Sequence, residues 1–185
     1  NGGVNNLAGI SPQVTNEIAS TTSGKIIIHN PLPRIFGVFL NQNNSPVLAN
    51  KEVRQALNMS VNREKIIKEV LYNYGVSING PLPIESESTS TKKINTFNLQ
   101  GAKDILTKAG WTINQSGILE KKTKTSTQTL EFSIVTADSV DLKKAAELVK
   151  KDWEELGAKV DVKIFEYGDL SQNIIKTRKY DALLF

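Results

Sequence analysis

The segment from Leu130 to Phe165 constrains the fold of this chain more than any other. Leu130 to Val135 reads as a strand, and Thr136-Ala137-Asp138-Ser139 reads as the loop that opens the longest helix. That helix is expected from about Val140 to Leu156, with Leu142, Ala145, Ala146, Val149, Trp153 and Leu156 on one face. Gly157 ends it. Ala158 to Phe165 then alternates, with Val160, Val162 and Ile164 on one side and Lys159, Asp161 and Lys163 on the other. Strand, helix and strand at this spacing predict a βαβ unit with parallel strands and a right-handed crossover. Trp153 is expected in the core.

A second periodic stretch precedes it. Val53, Ala56, Leu57, Ser60 and Val61 share one helical face, and Asn50 is placed to cap the first amides. Asn62 interrupts the pattern and starts another helix, whose buried face is Ile66, Ile67, Val70 and Leu71. The two are expected near 51–60 and 63–72, a helix-cap-helix pair that carries no chemistry by itself. Asn98 should cap a helix over 99–109, which Gly110 closes in the left-handed conformation with Trp111 as the hydrophobic contact. Asn114 to Gly117 is a turn, and Leu170 to Lys176 a short helix. Arg34 to Asn41 and Tyr180 to Phe185 are expected strands, the latter apolar enough to lie inside a sheet. Near the start, Ser11 and Pro12 open a candidate helix over 14–19, and Lys25 to His29 reads as a strand. These elements define an α/β fold, a mixed sheet with flanking helices.

Composition narrows function by exclusion. The 185 residues suffice for one core, and we expect one α/β unit over 1–185, with 1–24 a lead-in and 85–95 a mobile polar loop. The net charge is +4, but the lysines are interleaved with Glu and Asp, and the Lys121, Lys122, Lys124 cluster has no aromatics for base stacking. No nucleic-acid partner is expected. Cysteine is absent, and His29 is the one histidine with no acidic or histidine neighbour at ligand spacing, so no metal site is expected. Glu85 and Glu87 sit in a polar loop that offers no rigid, desolvated pocket for acid–base work. With no phosphate loop and no nucleophile motif, neither an enzyme nor a cofactor is expected. No apolar run approaches the ~20 residues that cross a bilayer. The opening Asn1-Gly2-Gly3 leaves the question of a signal peptide open, and the final apolar strand suggests a piece of a longer protein.

Residues 49–83 carry Arg54-Gln55-Ala56-Leu57, Asn62-Arg63-Glu64, Gly75 and Gly80-Pro81. This segment resembles the one that marks family 5 extracellular solute-binding proteins, the peptide- and nickel-type receptors of bacterial ABC importers. Leu40-Asn41 before it, and Ala109-Gly110-Trp111, Gly117-Ile118-Leu119-Glu120 and Tyr180-Asp181 after it, follow the family's order. The resemblance runs over nearly the whole chain but only part of a full receptor. It implies part of the C-terminal lobe of a two-lobed, periplasmic-binding-protein-like clamp (type II). It also implies an oligopeptide or other small solute, ABC permease subunits as partners, a monomer, and an extracytoplasmic place as a surface lipoprotein or in the periplasm. Position by position, it puts Phe39, the loop from Thr136 to Asp138, and Tyr167 at the solute cleft. The acid that grips a peptide's amino group would lie beyond Phe185. Read as residues alone, Phe39 also fits a core position, and Asp138 or Ser139 an N-cap. A second function fits the same resemblance, the sensory lobe of a transcription regulator, and residues upstream of Asn1 would decide between the two.

Overall fold

The computed structural model describes residues 10, 14, 15, 17, 18, 34–78, 80, 96–123 and 126–185. The strand expected at 25–29 with His29, the 85–95 loop and most of the 11–19 helix lie outside them. Along the chain stand β1 (Val38–Leu40), α1 (Lys51–Ser60), α2 (Arg63–Val70), α3 (Leu99–Lys108), β2 (Thr112–Ile113), β3 (Leu119–Lys122) and β4 (Thr127–Thr129). β5 (Glu131–Ala137), α4 (Val140–Leu156) and β6 (Lys159–Phe165) follow. The last elements are α5, one turn over Tyr167–Asp169 that continues as a π-helix over Leu170–Ile175, and β7 (Ala182–Leu184).

β5 and β6 pair in parallel from Glu131–Lys159 to Ala137–Phe165, as the βαβ pattern predicts. β7 lies on the other side of β5, also parallel, and β1 closes the sheet antiparallel to β7, giving the order β1-β7-β5-β6. The sheet is mixed, with β7 in its interior. Strands alternate their side chains between two faces. Ile134, Ala182 and Leu184 face the larger core with Ala146, Val149 and Trp153 of α4, Val53 and Leu57 of α1, and Leu106 of α3. Val135, Ala137 and Leu183 face a smaller core under Leu170, Ile174 and Ile175 of α5. The two crossovers therefore cover opposite faces, and the connection order reverses at β5. A separate antiparallel sheet, β2-β3-β4, holds the Asn114–Gly117 turn.

Capping follows the sequence at four ends and departs from it at others. Asn62 Oδ1 accepts from Lys65 N at 3.0 Å and Asn98 Oδ1 from Gly101 N at 2.8 Å. α3 ends with Gly110 at φ 86°, Gly110 N donating to Thr107 O and Trp111 N to Leu106 O. Gly157, at φ 109°, ends α4 with the same pair of bonds, to Glu154 O and from Ala158 N to Trp153 O. Both are Schellman stops, which require the left-handed conformation that glycine adopts without strain. Asn50 does not cap α1 with its side chain; Nδ2 donates instead to Pro46 O, Val47 O and Gln128 Oε1. α2 stops at Val70 rather than 72, because Tyr72 and Asn73 turn left-handed at φ 49° and 66°.

Other expectations are corrected. β1 covers Val38–Leu40, not Arg34 to Asn41; Gly37 and Phe185 still exchange backbone bonds, but Ile35 and Phe36 have no ladder and are exposed. Thr136 and Ala137 belong to β5 rather than to a loop. Along β6 the apolar face is buried at Val160, half-buried at Val162 and exposed at Ile164, since β6 is the outer strand of the described sheet.

Asp152 sits in the buried face of α4, where the periodicity called for apolar side chains. Its Oδ2 accepts from Asn62 N at 2.8 Å, which pins the α1–α2 junction to α4. Burial raises its pKa; the Asn62 N–H and Lys65 oppose that, Glu155 adds to it and Lys151 opposes it. A carboxyl whose folded pKa is raised costs stability when ionised, and the cost is relieved as pH falls toward the unfolded value. Asp152→Ala should lose about 1–3 kcal/mol by orphaning the amide. Asp152→Asn keeps an acceptor and should lose less at pH 7, with the wild type gaining on it as pH falls toward 4. Denaturant titrations of both variants at the two pH values test this, and a gap that closes on acidification would contradict the assignment.

Candidate functional site

β5, β6 and β7 all end on one edge of the sheet, at the strand where the connections reverse. In open α/β sheets this is where ligands meet the fold, outside the carboxyl ends of the strands. Asp138 is the first residue past β5, and its N–H donates to Phe165 O at 2.8 Å, which ties it to the end of β6. Tyr167 opens α5 two residues beyond β6 and is 63% exposed. Glu166 Oε2 accepts from Gly168 N at 3.3 Å and so starts this turn. Tyr167 packs against Phe185, at the end of β7, with ring centroids 5.8 Å apart and planes at 36°.

Phe39 pairs in register with Leu183 and therefore shares the α5 face of the sheet. At 58% exposure it is not a core residue. Phe39, Phe185 and Tyr167 thus belong to one face, and Asp138 stands beside them at the strand ends. Thr136 does not join this set. It points to the opposite face, is fully buried, and its Oγ1 donates to Leu184 O at 2.9 Å. Asp138 and Ser139 do not cap α4 with their side chains either; Asp138 Oδ1 lies 2.6 Å from Lys143 Nζ instead. No sequence signal marks Phe185 or Lys143 for this edge: Phe185 ends an apolar strand, and Lys143 is one of many interleaved charges.

An open polar hollow of about 370 Å³ lies elsewhere, lined by Leu40, Asn41, Gln42, Asn43, Arg178 and Tyr180. It is at the amino-terminal end of β7, away from the strand ends where ligands of such sheets sit. Among the described residues no group of three His, Cys, Asp or Glu could hold a metal ion. No helix among them is long and apolar enough to cross a membrane.

This architecture is that of the periplasmic-binding-protein-like receptors. The structure is similar to NikA from Brucella suis in complex with Fe(III)-EDTA, with a TM-score of 0.78 at 23% identity over 95% of this chain and 34% of that one. It is also similar to the oligopeptide-binding protein AppA from Bacillus subtilis in complex with a nonapeptide, with a TM-score of 0.71 at 25% identity over 81% of this chain and 30% of that one. The model of bacterial extracellular solute-binding proteins, family 5 Middle, matches residues 1–185, and the chain belongs to that family of binding proteins, not enzymes. Di/tripeptide-binding protein 3 of Pseudomonas aeruginosa is 29% identical over 135 residues, 72% of this chain and 23% of its own length. The nickel-binding periplasmic protein of Escherichia coli is 30% identical over 111 residues, 60% of this chain and 21% of its own. The chain therefore spans less than a quarter of the length of these two curated relatives.

Proposed function

We propose that residues 1–185 form part of one lobe of a two-lobed ABC-importer receptor and contribute one wall of its solute cleft, with an oligopeptide as the solute. The receptor works outside the cytoplasmic membrane, as a monomer, and delivers its solute to permease subunits. The observation that carries this reading is the exposed Tyr167–Phe185 pair at the carboxyl edge of the sheet, on the face that also presents Phe39. Aromatic rings offer a peptide large apolar area at low conformational-entropy cost, since each has only two side-chain torsions to order. Asp138 supplies a polar group beside them, and Thr136 supports the edge from beneath through its bond to Leu184. The family membership and the peptide-binding relatives support the same assignment.

Tyr167→Ala in the longer receptor should weaken binding of a peptide ligand at least ~10-fold, as for an aromatic anchor worth about 1.4 kcal/mol or more. Its melting temperature should stay within a degree or two, because the ring is largely exposed. Calorimetry on wild type and variant tests this, and unchanged affinity would remove Tyr167 from the cleft.

A further inference from the structure

We infer that Lys143 tempers the charge preference of this edge, pairing with Asp138 so that the wall takes cationic groups of a solute less readily than it would without that lysine. This rests on the proposed cleft wall above. The pair is the shorter, at 2.6 Å, of the two formed by α4 lysines, the other being Lys150 with Glu154 at 3.9 Å. The backbone on both sides of the pair is fixed, since Asp138 N–H is bonded to Phe165 O and Lys143 N to Ser139 O. The two side chains remain 58% and 40% exposed, so an incoming solute meets both. Exposed pairs of this kind add little to stability. What this one changes is the field at the strand ends.

Other charges toward this end include Arg34 in the segment that leads into β1, Asp141 in the first turn of α4, Glu166 and Asp169 around Tyr167, and Lys163 on β6. Glu166 accepts from Gly168 N and Asp169 from Asn173 Nδ2, and none of these three carboxylates has an ion-pair partner among the described residues. Lys143 is therefore the cation that keeps the Asp138 carboxylate from acting as a free anionic contact. Without it, the edge would present Asp138 unpaired beside an exposed tyrosine ring, a combination that attracts ammonium and guanidinium groups.

The test compares Ala-Lys-Ala with Ala-Leu-Ala as ligands of the longer receptor, by calorimetry at low salt. Lys143→Gln should raise the affinity for Ala-Lys-Ala relative to Ala-Leu-Ala by about five- to tenfold, the size expected for one charge a few ångströms away in a partly solvated site. The gain should shrink at ~1 M salt, where the screening length falls to about 3 Å. Lys143→Arg should keep the wild-type ratio, and Asp138→Asn in the Lys143→Gln background should abolish the gain. A ratio unmoved by Lys143→Gln, or a gain that survives Asp138→Asn, would overturn the inference while leaving the cleft wall standing. A wild-type receptor that binds neither peptide would overturn both, and the Tyr167→Ala comparison separates that outcome from the first.

Discussion

Trp153→Ala should destabilise the protein by about 3–5 kcal/mol, the range for removing a large aromatic from a core. Trp153 is 2% exposed and joins three layers. Its indole ring meets Phe132 of β5 edge to face, with centroids 5.3 Å apart at 60°. Its Nε1 donates to Leu57 O at 3.0 Å, near the end of α1, and so fastens the helix pair to α4. Alanine would open a cavity between sheet and helices and leave a buried carbonyl without that donor, two separate losses. For a chain of this size the melting temperature should fall by roughly 6–20 °C. Trp153→Phe should recover much of the volume but not the hydrogen bond, and lose about 1–2 kcal/mol. A shift of only a degree or two for Trp153→Ala would show that α4 presents a different face to the sheet.

The same residue shows why much of the fold was legible. α1, α3 and α4 carry dense apolar periodicity and explicit stops, so the chain's local chemistry and its tertiary packing demand the same thing. Where the two diverge, the reason is long-range. β5 runs on through Thr136 and Ala137 because β6 pairs with it as far as Phe165, and β7 reaches Thr136, whose hydroxyl donates to Leu184 O. That pairing spans 48 residues of sequence, and no local signal announces it. Asp152 interrupts an apolar face because Asn62, on another helix, needs an acceptor. α2 ends at left-handed Tyr72 and Asn73, where no glycine marks the stop. α5 is π-helical over six residues, a geometry without a sequence signature.

The candidate site divides along the same line. Tyr167 is given by the family resemblance, which puts an aromatic of this position at the cleft, and the polar residues around it do not demand burial of the ring. Phe39 was ambiguous, since a strand residue between Val38 and Leu40 fits either face of a two-sided sheet. Its exposure follows from the position of β1 beside β7, in register with Leu183 but outside the small core under α5. Asp138 is given by the same resemblance and, read alone, also fits an N-cap, but its ion pair with Lys143 depends on how the first turn of α4 is set against β5.

Residues 1–185 alone should bind di- to pentapeptides no more tightly than ~1 mM, which corresponds to only about 4 kcal/mol. The proposed wall is open: Tyr167, Phe39 and Phe185 are 63%, 58% and 37% exposed and lie on one face, with nothing described opposite them. A small-molecule site normally buries about 70–90% of its ligand, and one wall can cover no more than one side. Association itself costs at least ~4 kcal/mol in lost translation and rotation, which a one-sided contact struggles to offset. In a hinged clamp the second lobe supplies the missing surface, and the acid that by resemblance anchors the peptide's amino group would lie beyond Phe185. The longer receptor should therefore bind the same peptides at least ~1000-fold more tightly, a difference of about 4 kcal/mol. Titrating both proteins with one peptide mixture, by calorimetry or NMR shifts, measures the ratio directly. Micromolar binding by residues 1–185 would mean that the site is complete within them and that the two-lobed reading is wrong.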